Sequence, residues 1–201
     1  MTTILAIQGE GFAVVGCDNR ISYTDESGVP YQTITIASGS SKIAANGKYL
    51  LGASGDMRAI NILHHVFQPP VPTPGLKGKK LDAFIATKFI PSLRACFDSQ
   101  GYSLPDGKED KDHIAQHSSS VVVVINKQIY LIDGDYSWVS DASGFYATGS
   151  GSMYGLGALS SLVGTKKLTA QQAKTAVLKA LQIVAKYDPF TGAPFNTFVQ
   201  T

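Results

Sequence analysis

The chain opens Met1-Thr2-Thr3, and the apolar alternation of a β-strand starts at once. With Met1 removed, Thr2 carries a hydroxyl and a free α-amine, a nucleophile and a base within one side chain's length. An α-amine titrates near ~8, so at neutral pH part of it is an unprotonated base. A Thr hydroxyl is a poor nucleophile alone, and an adjacent N-terminal amine is one way to activate it. The small side chain at position 2 suits removal of Met1; with Met1 attached, Thr2 has no free amine. Taken alone, Thr after Met is a common start without chemical meaning. Its weight depends on residues further along: Asp18 in Cys17-Asp18-Asn19-Arg20, Lys42 before Ile43, Gly52 in Gly52-Ala53-Ser54-Gly55-Asp56, Ser150 in Gly149-Ser150-Gly151-Ser152, and Asp188 and Thr191 in Asp188-Pro189-Phe190-Thr191-Gly192.

Elements must bring these positions together. Residues 2–8 and 12–17 are β-rich and joined by Gly9-Glu10-Gly11, a hairpin pattern. Residues 32–37 form another strand. The segments around KIAA and KYLLGAS flank Asn46-Gly47, a type I′ signal that asks for positive φ at both positions. From Asp56 to Phe67, Met57, Ile60, Leu63, Val66 and Phe67 share one helical face. Residues 68–75, rich in proline, form a loop. Residues 81–99 read as a helix that Pro91 kinks or interrupts. Residues 101–117 are polar and read as an exposed loop. Residues 118–126 and 128–133 form a second hairpin, with Val121–Ile125 apolar on both faces and so a strand covered on both sides. Residues 138–147 supply a further short strand. A helix over 152–163 ends at Gly164, Thr169 and Gln172 form a capping box that opens a helix to about Tyr187, and a last strand covers 195–200. Runs of strands and paired helices in this order indicate α+β with antiparallel sheets. A four-layer α-β-β-α sandwich of two antiparallel sheets satisfies the two-sided apolar strands.

The chain has 201 residues, 16% charged, with a formal net charge of +2. That length supports one domain over 1–201, and so small a charge excess argues against nucleic acid as a partner. Lys77, Lys79 and Lys80 in a loop, and Lys166 and Lys167 between helices, read as solvated surface. Cys17 and Cys96 have no CxxC spacing and read as buried, reduced thiols of a cytoplasmic protein. No apolar run is long enough to span a membrane, and no secretory signal pattern is visible at the start. His64-His65 sit side by side and point to different helix faces, and His113 and His117 lie in a polar loop, so no metal site is expected. Asp133-Gly134-Asp135 reads as a hairpin turn, and Gly149 to Gly155 lacks the βαβ context of a dinucleotide loop. No cofactor is expected.

Taken in order, the motifs resemble those of the proteasome β-type subunits and their bacterial relative, the hexameric heat-shock peptidase, both N-terminal nucleophile hydrolases. The similarity runs over nearly the whole chain. Thr2 precedes Asp18 by 16 residues, as in that family, and Asp18-Asn19-Arg20 matches its Asp-x-Arg triplet. Lys42-Ile43 matches its lysine at a strand start, Gly52 its Gly-x-x-Gly-Asp turn, Ser150 its Gly-Ser-Gly, and Asp188 to Gly192 its Asp-x-x-Ser-Gly turn with Thr191 in the Ser position. One departure is the Asp18–Lys42 interval of 24 residues, longer than usual by about a short hairpin tip.

The resemblance implies the N-terminal nucleophile hydrolase fold and a threonine peptidase. Thr2 is the nucleophile. Lys42 keeps the Thr2 amine neutral, since like charges lower an ammonium pKa, and Asp18 holds Lys42. The Gly52 N–H faces the oxyanion, a donor worth roughly 3 kcal/mol in the barrier. Ser150, Asp188 and Thr191 orient the amine and a water. Ser22 contacts substrate backbone, and Leu50 lines the primary specificity pocket, implying cleavage after apolar side chains. The partners implied are unfolded polypeptide or peptide substrates, copies of the same chain in a ring, and an ATP-dependent unfoldase. Two alternatives stand beside this reading: a small-amide hydrolase of the same superfamily, and a structural, catalytically silent ring subunit. The Thr at position 2 and the immediate strand favour the β-type reading over the latter.

Overall fold

A computed structural model describes residues 2–103 and 116–201. Met1, and most of the expected polar loop with His113, lie outside the described residues.

Thr3–Gly9 (β1) and Phe12–Asp18 (β2) form the expected hairpin, turning at Gly11 with φ +79°. With Phe145–Gly149 (β10) and Phe195–Gln200 (β11) they make an antiparallel sheet ordered β10-β1-β2-β11. A second sheet runs β5-β6-β7-β8-β9, from Ile43–Asn46, Tyr49–Ser54, Ser120–Ile125, Gln128–Ile132 and Trp138–Val139. A separate ribbon pairs Arg20–Thr24 (β3) with Pro30–Thr35 (β4). The helices are Met57–His65 (α1), Lys79–Phe84 (α2), Ile90–Ser99 (α3), Ser152–Val163 (α4) and Ala170–Tyr187 (α5).

Side-chain alternation builds the layers. In β1, Leu5 and Ile7 face outward and pack with Leu159, Val177, Leu181 and Val184 of α4 and α5. Ile4 and Ala6 face the other way and meet Ile43, Val122 and Val124 of the second sheet. The outer face of that second sheet, with Leu51, Val121, Val123 and Tyr130, packs under Leu63, Phe89, Leu93 and Phe97. The result is the α-β-β-α sandwich. Val121–Ile125 is wholly buried on both faces as expected, and each such side chain contributes up to roughly 1.5–3 kcal/mol.

Local signals hold with corrections: the strand expected over 138–147 is two, β9 and β10, in different sheets, Arg20–Thr24 is a strand that no pattern indicated, and the strand expected at 32–37 lies at Pro30–Thr35. The turn with two consecutive positive φ angles is Asn126-Lys127 (49° and 65°), between β7 and β8. In the other hairpin only Gly47 is positive (58°), and Asn46 belongs to β5, where its Nδ2 donates to Phe67 O at 2.8 Å and ties the hairpin to the end of α1. The helical stretch from Lys79 to Ser99 is divided just before Pro91, which sits in the first turn of α3. A π-helical turn at Ile85–Phe89 precedes it, accommodating the missing N–H by widening one turn. Lys79 and Lys80 open α2 rather than sit in a loop. Finally, Cys96 is only half-buried, while Cys17 is buried. Asp56 N-caps α1, and the Thr169–Gln172 capping box is complete. The extra residues between Asp18 and Lys42 form the β3–β4 ribbon, whose outer strand is exposed from Tyr31 to Thr35.

Candidate active site

Antiparallel order explains why distant motifs converge. In the sheet β10-β1-β2-β11, the starts of β1 and β11 and the ends of β2 and β10 fall at one end of the sheet. The register shows it: Thr3 is opposite Gly149, Ile4 opposite Cys17, and Asp18 opposite Phe195. Thr2, Asp18, Gly149-Ser150-Gly151 and the Asp188–Gly192 turn therefore share that end.

Asp18 is fully buried and is the hub. Its Oδ1 accepts from Thr3 N (2.9 Å) and from Lys42 Nζ (2.9 Å); its Oδ2 accepts from Arg20 N (3.0 Å) and Gly192 N (3.3 Å). Lys42, also fully buried, donates to Arg20 O at 2.5 Å. Burial pushes the Lys42 ammonium below the ordinary lysine range, and the Asp18 carboxylate opposes that. Desolvating two charges costs several kcal/mol each, so an ion pair of this kind is poor evidence for stability. What it does is fix a cation one residue from Thr2.

A second network starts at Thr3. Gly151 N donates to Thr3 Oγ1 (3.1 Å), and Thr191 Oγ1 donates to Asp188 Oδ2 (2.5 Å). The single Thr191 hydroxyl hydrogen is thus used, so in the 2.5 Å contact between Thr3 Oγ1 and Thr191 Oγ1 the donor is Thr3. Ser150 Oγ donates to the same Asp188 oxygen at 2.8 Å, and Ser150 N donates to Thr2 O at 3.0 Å. Ser150, Asp188 and Thr191 thus reach Thr2 through its carbonyl and through its neighbour Thr3.

Gly52 lies in β6 opposite Ile43 and Val122, on the face toward β1; a Cβ there would come within 2.9 Å of Ile4 Cδ1. β6 continues through Ala53 and Ser54 after β5 has ended, so one edge of its last two residues is unpaired on that side. Ser22, on β3, is buried, and its hydroxyl has no hydrogen-bond partner among the described residues. Leu50 is half-buried and packs on the layer between the sheets with Ile43 and Val124.

Thr2 is 2% exposed and lines a cavity of about 460 Å³ that also touches Ser54, His117, Ser120, Thr148 and Ser150. Asp18, Lys42, Gly52, Ser22 and Leu50 do not line it. A larger cavity, about 500 Å³, sits by the β1–β2 turn and the α4–α5 loop and contains none of the predicted site residues.

Four residues have roles at the site that their sequence motifs do not indicate. Thr3 links both networks; its signal was the doubled Thr, read for its first member alone. Gly149 has φ +92°, and a Cβ there would lie 1.7 Å from Thr2 O. Arg20 donates from Nη1 to Pro189 O (3.2 Å) across Gly192, where a Cβ would meet its guanidinium, bracing the Asp188–Gly192 turn against the start of β3. His117, read as part of a polar loop, is 4% exposed among Phe97, Tyr102 and Tyr136. Burial pushes the Cys17 thiol up to about 11, so it offers no competing thiolate. Among the described residues no group of three or more His, Cys, Asp or Glu side chains could hold a metal ion, and no helix is long and apolar enough to cross a membrane.

No protein-family model matches the chain, and no curated protein matches it in sequence. Solved structures do. BPH of Thiobacillus denitrificans in complex with epoxomicin superposes with a TM-score of 0.73 at 19% identity, covering 99% of this chain and 98% of that one. A second structure of Thiobacillus denitrificans BPH gives 0.71 at 19%, covering 99% of this chain and 97% of that one. Eukaryotic HslV from Trypanosoma brucei gives 0.60 at 18%, covering 98% of each chain. At this identity the shared property is the fold, and it extends end to end.

Proposed function

We propose that the chain is a threonine-type endopeptidase whose nucleophile is Thr2, exposed by removal of Met1. The observation that carries this reading is the buried Asp18 Oδ1, which holds both Lys42 Nζ and the backbone nitrogen of the residue after Thr2 at 2.9 Å. A cation so close to the Thr2 amine lowers its pKa and keeps it a base.

Thr2 Oγ attacks the carbonyl carbon of a peptide bond while its proton passes to the Thr2 amine. The amine returns that proton to the departing nitrogen, leaving an ester on Thr2, which water then hydrolyses. The Gly52 N–H stabilises the oxyanion of each tetrahedral intermediate. Ser150 and the Asp188–Thr191 pair hold Thr2 through its carbonyl and through Thr3. The peptide lies as an added strand between the unpaired edge of Ala53–Ser54 and the β3 ribbon, where the Ser22 hydroxyl contacts its backbone. Leu50 sets a preference for apolar residues before the cleaved bond.

The whole of residues 1–201 acts as one proteasome β-like unit in a homo-oligomeric ring in the cytoplasm. An ATP-dependent unfoldase supplies unfolded chains. Exposed Met153 and Tyr154 on α4, near Tyr187 of α5, favour association.

Replacing Thr2 by Ala tests the reading. Peptide and casein hydrolysis should fall by at least about three orders of magnitude, in line with loss of a nucleophile, while the assembly mass is unchanged. Epoxomicin, which BPH binds, should bind the wild type and not Thr2→Ala. Full activity in Thr2→Ala would rule the mechanism out.

A further inference from the structure

The cavity beside Thr2 has a chemical character that the hydrolytic machinery does not require. Its wall is made mostly of short hydroxyl side chains, Ser54, Ser118, Ser119, Ser120, Thr148 and Ser150, with glycines between them and no lysine or arginine. Hydrogen positions in this wall are largely fixed by its neighbours. Ser150 Oγ gives its hydrogen to Asp188 Oδ2 at 2.8 Å, and Ser120 Oγ gives its hydrogen to Asp133 Oδ1 at 3.3 Å. Both oxygens are left with lone pairs, each backed by a carboxylate one bond behind. Ser54 and Thr148 share one hydrogen bond at 2.7 Å, which leaves that pair free lone pairs and one hydroxyl hydrogen.

His117 completes the wall. Its Nδ1 accepts from Ser119 N at 3.3 Å, which places the proton of the neutral ring on Nε2. That Nε2 is buried and has no hydrogen-bond partner among the described residues. Burial keeps the imidazole below the ordinary histidine range, opposed by Asp135 and Asp133, so the ring is neutral at neutral pH. The other groups on its faces are the Phe97, Tyr102 and Tyr136 rings.

The wall therefore offers several acceptors beside two donors, His117 Nε2 and the remaining hydroxyl hydrogen of the Ser54–Thr148 pair. A side chain that donates twice and also accepts, a carboxamide, meets both kinds. An apolar side chain engages neither the free lone pairs nor the donors of the wall, and a carboxylate meets lone pairs and the fields of Asp133 and Asp188.

We infer that this cavity receives the residue immediately after the cleaved bond and selects a carboxamide side chain there, Gln or Asn. The inference rests on the proposed reading of Thr2 as nucleophile. Its placement on the leaving side follows because Leu50, which takes the residue before the cleaved bond in that reading, does not line the cavity.

The test uses internally quenched peptides on the assembled wild-type protein. They are identical except for Gln, Lys, Leu or Glu after the cleaved bond, with a matched set varied before it. Gln should exceed Leu and Glu in kcat/KM by about tenfold, equivalent to ~1.4 kcal/mol, with Lys between. In Ser120→Ala and in His117→Phe, each checked for folding by its thermal midpoint, the Gln-to-Leu ratio should shrink to about twofold or less. If cleavage depends on Thr2 but shows no such order, or the order tracks the residue before the bond, this inference is overturned and the Thr2 reading stands. If Ser120→Ala folds and keeps the full ratio, the wall is misassigned. Cleavage that survives Thr2→Ala overturns both.

Discussion

Asp18 and Lys42 illustrate how one pair of residues separates structure from chemistry. Both are fully buried and four donors converge on the Asp18 carboxylate. Asp18→Asn leaves the Lys42 ammonium buried without its counter-charge, and should cost about 3–5 kcal/mol in urea unfolding. The double change Asp18→Asn with Lys42→Met removes the charge as well and should recover most of that stability without recovering hydrolysis. A stable, active double variant would remove Lys42 from the mechanism. At the same scale, the proposed reading sets a cation near the Thr2 amine, so the acid limb of the activity profile should lie below about 8, the ordinary α-amine value. Thr191 makes a parallel case: Thr191→Ser keeps the hydroxyl between Thr3 and Asp188 and should retain near-full activity. Thr191→Val strands both partners and should cost about 1–3 kcal/mol of stability.

At the scale of elements, the junction between β10 and α4 is the tightest point. Gly149 adopts φ +92° and lies so close that a Cβ would overlap Thr2 O. Gly149→Ala should therefore add roughly 1–3 kcal/mol of backbone strain, displace Thr2, and abolish hydrolysis even where the protein remains folded by circular dichroism. The capping box of α5 provides the contrast. Thr169→Ala removes the bond from Gln172 N to Thr169 Oγ1 and should lower stability by about 1 kcal/mol while leaving kcat/KM unchanged. Helix starts of this kind were readable directly, because a cap is made by residues three apart. The π turn before Pro91 was not. The sequence signals a missing N–H there, but whether the helix breaks, bends or widens depends on the core around Ile85, Phe89 and Leu93, all fully buried. The two hairpins gave a related surprise. Asn46-Gly47 carried the stronger turn signal, yet Asn46 is held in β5 by Phe67 O and Leu63 O.

For the whole molecule, the buried titratable groups set the response to pH. The His117 imidazole is held below its ordinary range by burial, so the unfolded chain takes up that proton first. Its contribution to stability is intact above about 6.5 and is lost as pH falls from there through the lower folded value, with a slope of at most about 1.4 kcal/mol per pH unit. Thermal unfolding across this range should show that slope, and His117→Gln should flatten it. Assembly is a second whole-molecule property: sedimentation should give a multiple of the 21.3 kDa chain. The sequence by itself determined the alternation of the central strands, the bounds of α4 and the capped start of α5, and the order of Thr2, Asp18, Lys42, Gly52, Ser150 and Asp188, because period and capping are local properties. Only the tertiary structure decided what those residues touch. That Thr3 rather than Thr2 carries the hydroxyl network, that His117 leaves its polar segment for an aromatic cage, and that a hydroxyl-lined cavity opens beside Thr2 all depend on strand ends meeting across sheets. The pairing of Thr3 with Gly149, and of Asp18 with Phe195, spans most of the chain, and no local pattern encodes a contact made at that separation.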